Sequence, residues 1–156
     1  MRRLTCGLAA ASLVVTACSG GGDNACTRVV SEAIADDSQL HVIVTAEVRY
    51  ASWPPTSGPH APGPEPGVYA RVLTGPEQVG VLERGDVVIQ YSPSVVEERQ
   101  LTSLLDGDVV LAPGIQLGDA VVATAWGKRI SCRSADDLGS IEDFVVDAKD
   151  GGPGAH

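Results

Sequence analysis

The chain has 156 residues, so a single domain is the natural expectation. Apolar residues make up 44% and charged residues 20%, as in ordinary globular domains, and aromatics at 4% leave the core to Val, Leu, Ile and Ala. A formal net charge of −9 repels phosphate backbones and anionic headgroups, which argues against nucleic-acid binding and electrostatic membrane attraction.

Arg2 and Arg3 form a positive start, and Leu4 to Val15 is a mostly apolar run. The run suits a signal-peptide core and falls short of the roughly 20 residues that span a bilayer. It ends in Val15-Thr16-Ala17-Cys18, which resembles the lipobox of bacterial lipoproteins. That resemblance implies a diacylglycerol on the Cys18 thiol, cleavage before it, and a membrane as partner through acyl chains. Each buried CH2 is worth about 0.8 kcal/mol, so two or three chains anchor stably. The competing reading is ordinary secretion with cleavage near Ala17. The expected organisation is a signal peptide over 1–17, a lipidated Cys and Gly-rich tether over 18–25, a globular domain over 26–149 and a disordered tail over 150–156.

Within the domain, Val29 to Ile34 is a short element of open type. Val42, Val44, Ala46, Val48 and Tyr50 alternate with more polar residues, which predicts a half-buried strand over Leu40 to Tyr50. Trp53 to Gly67 carries six prolines and is expected as a stiff surface loop. Asp86 to Tyr91 is nearly all apolar and reads as a central strand. Ser94 and Glu97 fit a capping box, predicting a helix to about Leu105. Asp106-Gly107-Asp108 is a turn, Val109 to Ala112 a strand, and Ala120 to Ile130 another strand holding Trp126 in the core. Ser140 is placed as the cap of a last helix with Ile141, Phe144 and Val145 on one face. The sum is a small α+β domain with a mixed β-sheet, two main helices and a long Pro-rich loop.

Several segments then resemble one family. These are Pro54-Pro55-Thr56-Ser57-Gly58-Pro59-His60, Gly67-Val68-Tyr69, Leu82-Glu83 with Gly85, Val87-Val88-Ile89, Leu111-Ala112-Pro113 and Val122-Ala123-Thr124-Ala125-Trp126-Gly127. Together, and with the His41-Val42 pair, they are similar to the bacterial domain of unknown function 3105. The resemblance implies an exported or membrane-anchored protein and no established activity. Family members typically read His-Asn-Leu-Glu-His-Gly before the Val-Val-Ile strand, where this chain has Gly80-Val81-Leu82-Glu83-Arg84-Gly85. Both of those histidines are thus replaced, by Gly80 and Arg84. Gly152-Pro153-Gly154 stands where the family often shows Gly-Pro-Glu.

Cys26 and Cys132 remain after Cys6 is cleaved off and Cys18 lipidated, and outside the cytoplasm two such thiols are expected to pair. His60 follows a rigid bend and is read either as a metal ligand or base, or as a loop residue bonded to backbone. His41, His60 and Glu83 would make an oxygen-and-nitrogen metal site if the fold brought them together. Trp53, Ser57, His60 and Tyr69 are candidate ligand contacts around the loop, and the Trp53-Pro54 bond is a candidate cis peptide. Asp36-Asp37 and Asp136-Asp137 read as turn or capping residues, and His156 as solvated. No nucleophile elbow, phosphate loop, Rossmann glycine pattern or heme motif is present. The leading expectation is therefore a non-catalytic, cofactor-free module that binds an envelope protein or small ligand through the Pro-rich loop. The alternatives are a metal-binding protein or metal-assisted hydrolase using His41, His60 and Glu83, and a plain structural envelope protein.

Overall fold

The computed structural model describes residues 25–136 and 138–155. The expected signal peptide, Cys18 and nearly all of the tether lie outside the described residues, as do Asp137 and His156. The regular elements in chain order are β1 (Val30–Ser31), β2 (Gly67–Val68), α1 (Gly75–Glu83), β3 (Val87–Tyr91), β4 (Val109–Pro113), β5 (Val121–Ala125), β6 (Lys128–Cys132) and α2 (Gly139–Ala148). No helix among the described residues is long and apolar enough to cross a membrane.

The strands form one mixed sheet in the order β1-β6-β5-β3-β4-β2. β3 pairs parallel with β4 and antiparallel with β5, and β4 pairs parallel with β2. The apolar run of β3 has its reason here: the strand is central and both of its faces are covered. Val87, Ile89 and Tyr91 face a cluster that takes in Ile141, Phe144 and Val145 of α2. Val88, on the other face, joins Val81 and Leu82 of α1 and Leu73. Two helices thus sit on opposite faces of one sheet, the α+β arrangement expected from the order of elements.

Cys26 and Cys132 form a disulfide across 106 residues of sequence. It joins the first described residues to the end of β6, next to the β1–β6 ladder.

Several expected elements take a different form. The alternating stretch Leu40–Tyr50 is not a strand; its one β-bridge joins His41 to His60, and Ile43 is 73% exposed. Alternation produces a strand only where an edge is free to pair, and this arm lies over the Pro-rich loop instead. The helix expected over 94–105 is two short 3-10 turns, Glu98–Gln100 and Thr102–Leu104. Leu101, which joins the two turns, and Leu104 of the second are buried, three residues apart as that tighter helix repeats. The strand expected over 120–130 is a hairpin, turning at Trp126-Gly127 with Gly127 at φ 65°. Trp126 therefore sits half-buried in a turn against the α1-side cluster, not within a strand. Ser140 lies inside the first turn of α2 rather than at its cap, which is Leu138. The expected disordered tail is docked over 150–155: Asp150 N–H donates to Gly85 O and Gly154 N–H to Glu83 O, each at 2.9 Å.

The largest correction concerns the Pro-rich loop, whose residues from Pro54 to Ala61 are buried rather than exposed. Prolines make this burial tolerable, because they bring no N–H that must find a partner. Two of the donors that remain are engaged at the loop's end: His60 N–H reaches Leu40 O at 3.0 Å and Ala61 N–H reaches Pro76 O at 3.1 Å. The Trp53-Pro54 peptide is cis.

Candidate metal centre

The site is assembled by α1, the Pro-rich loop and the arm at residue 41. α1 begins at Thr74, whose hydroxyl accepts from Glu77 N–H while the Glu77 carboxylate accepts from Thr74 N–H. This reciprocal cap, with Pro76 in the first turn, sets where the helix starts. Arg71 holds Glu77 by two further bonds of 2.9 and 2.7 Å, and the Arg71 hydrogen bonds keep the Glu77 carboxyl below the usual carboxylate range. The last residue of α1 is Glu83.

Two glycines let the loop cross this helix at backbone contact. A Cβ on Gly80 would lie 1.9 Å from Ala61 O, and one on Gly63 would lie 2.6 Å from Glu77 O and Val81 N. Arg84 closes the crossing from the far side, donating to Gly63 O at 3.0 Å and Pro64 O at 2.7 Å while pairing with Asp86. Tyr50 donates to Pro59 O at 2.7 Å, and its half-buried ring packs against Gly58 and Gly75. Burial and the nearby Asp37 charge push the Tyr50 phenol well above its ordinary pKa, so it stays a donor. The arm is clipped on by Val42 N–H to His60 O at 2.8 Å and by the His60 bond to Leu40 O.

These constraints bring His41, His60 and Glu83 together, with one donor atom from each lying within 4.8 Å of the others. His41 is exposed, His60 buried and Glu83 half-buried. The two imidazoles meet edge to face with centroids 4.7 Å apart. His60 Nδ1 lies 3.2 Å from Gly58 O. A carbonyl only accepts, so Nδ1 is the donor, and in the neutral imidazole Nε2 then presents its lone pair. Nε2 is 3.2 Å from Glu83 Oε2, yet it makes no hydrogen bond although His60 is only 3% exposed. In that tautomer a ring lone pair and a carboxylate oxygen face each other, with His60 buried, Glu83 half-buried and His41 exposed. A tetrahedral ion with bonds near 2.0–2.1 Å separates its ligands by about 3.3 Å. A carbonyl behind the ligating imidazole is also the usual way a metal-bound histidine is oriented.

Glu83 sits at the C-terminal end of α1, and that last turn holds no basic residue. A carboxylate there opposes the helix dipole, whereas a cation would be favoured by both.

The other candidate contacts do not gather around His60. Ser57 Oγ accepts from Ala35 N–H at 3.0 Å, tying arm to loop. Trp53 Nε1 donates to Ile115 O at 2.9 Å, and Tyr69 OH donates to Glu65 O at 2.8 Å. Each makes a tie within the fold, and of the loop's prolines Pro62 is exposed and Pro64 and Pro66 half-buried. Sequence reasoning missed α1 and the roles of Gly63 and Gly80. The signal was Thr74-Gly75-Pro76-Glu77, a capping box with proline in the first turn.

No curated protein and no solved structure matches the chain. A family model described as a protein of unknown function (DUF3105) matches residues 41–156, from the first histidine of the site through the docked tail. That span takes in His41, His60 and Glu83 alike, and the chain belongs to this family.

Proposed function

We propose that this protein is a lipid-anchored, extracytoplasmic module that binds one divalent transition-metal ion through His41, His60 and Glu83. The observation that carries the reading is the buried His60 Nε2, without a hydrogen bond, 3.2 Å from the Glu83 carboxylate and beside His41. Two imidazoles and a carboxylate, with no thiolate, suit zinc or copper(II) better than calcium or magnesium, which prefer all-oxygen shells. Gly80 and Arg84 stand where the family resemblance expects imidazoles. Neither supplies a donor, so the ligand set of this chain is the three residues that meet.

The anchor rests on Val15-Thr16-Ala17-Cys18 and the short apolar run before it. The Cys26–Cys132 disulfide fits an oxidising compartment. Native mass spectrometry of the full chain in detergent, with zinc or copper(II) added, tests the metal reading. One ion per chain is expected, and His60→Ala should abolish it. An unchanged mass for the wild-type protein would end the proposal. For the anchor, the mature N-terminus should carry acyl chains on Cys18, and Cys18→Ser should leave it unlipidated.

A further inference from the structure

Three protein donors leave the coordination of a zinc-like ion incomplete, since such ions take at least four ligands. Where the remaining position points decides whether the ion is sealed or reachable. His41, His60 and Glu83 line one wall of a cavity of about 310 Å³, whose other walls include Pro62, Gly63, Glu65 and Arg84. Glu65 borders this space without belonging to the group of three converging donors. Arg84 borders it too, but its guanidinium is committed to Gly63 O, Pro64 O and Asp86. It is therefore a fixed wall with a charge already paired. Behind His60 the loop is closed by the Gly58 carbonyl, so the free side of the ion is the cavity side.

Resting on the metal reading above, we infer that the bound ion keeps an exchangeable coordination position open to this cavity, and that the position takes a small monoanion. The charge sum favours such a ligand: a divalent ion bound by two neutral imidazoles and one carboxylate keeps one positive charge. The cavity, about 310 Å³, has room for such a ligand beside the ion. Glu65, the unpaired negative charge on the wall, would weaken the anion without touching a metal ligand.

The test uses the full chain loaded with cobalt(II), whose visible bands report its coordination, and sodium azide as the probe. Azide should change the bands saturably, and Glu65→Gln should tighten azide several-fold while leaving the cobalt spectrum unchanged. Cobalt bands that are lost in His60→Ala but do not respond to azide would mean a closed shell, overturning this inference and leaving the metal site standing. An azide response with the same affinity in Glu65→Gln would put the ligand elsewhere and also overturn it. Absence of cobalt bands in the wild-type protein would remove the metal site and the inference together.

Discussion

Gly80 meets the carbonyl of Ala61 so closely that a Cβ at residue 80 would lie 1.9 Å from that oxygen. This one contact brings the helix that carries Glu83 down onto the loop that carries His60. Neither backbone can retreat easily, because Gly63 makes the same approach in return against Glu77 O and Val81 N.

Gly80→Ala should therefore force the loop off the helix, at the cost of about 1–3 kcal/mol typical of overpacking. Metal affinity should fall with it. Gly107→Ala is the control, since a Cβ there meets nothing within 4 Å. Urea denaturation of both variants checks this. Equal midpoints for the two would mean that the crossing is not tight.

The disulfide closes a span of 106 residues, for which the chain-entropy model gives about 4–5 kcal/mol. Reduction, or the double change Cys26→Ser with Cys132→Ser, should lower the denaturation midpoint accordingly without altering metal stoichiometry. Loss of the ion on reduction would show that the N-terminal arm is held chiefly by this bond.

Acid should destabilise the fold through Glu77. Arg71 and Thr74 hold its carboxyl below the ordinary value of 4.5, so the ionised form stabilises the native state. That contribution is fully present above the unfolded pKa and is lost as pH falls through the depressed native value. Thermal melts of wild type and Glu77→Gln between neutral pH and pH below 4 should converge toward the acid end. Parallel curves at all pH values would exclude the mechanism.

Tyr69→Phe removes a bond to the Glu65 carbonyl on the exposed side, outside the three-residue group. It should leave metal affinity unchanged, whereas Tyr50→Phe, which frees Pro59 O in the loop, should cost about 1 kcal/mol of stability. Calorimetry and melts on the pair separate the two roles. A large metal effect for Tyr69→Phe would place that residue in the site.

The parts of this fold that could be read from sequence are those where one physical cause dominates. The unbroken apolar run of β3 marks a strand covered on both faces, and Ile141, Phe144 and Val145 mark the buried side of α2. Cys26 and Cys132 are the two cysteines among the described residues, and the expected pairing is the disulfide observed. The chemical types of His41, His60 and Glu83 were equally legible, but their meeting was not. It depends on a helix start at Thr74 and on two glycines whose value lies in what they permit to approach. The arm over Leu40–Tyr50 misled because alternation reports amphipathicity, and only a vacant sheet edge turns that into a strand. The prolines misled differently: they mark irregular backbone, and their missing donors let that backbone go inside.

The most direct measurement is calorimetric titration of zinc and copper(II) into the full chain, with His41→Ala, His60→Ala and Glu83→Gln beside it. The account predicts one site of micromolar or tighter affinity that weakens at least tenfold in each variant, most of all in His60→Ala. Heat no different from buffer in the wild-type protein, or binding indifferent to all three substitutions, would contradict it.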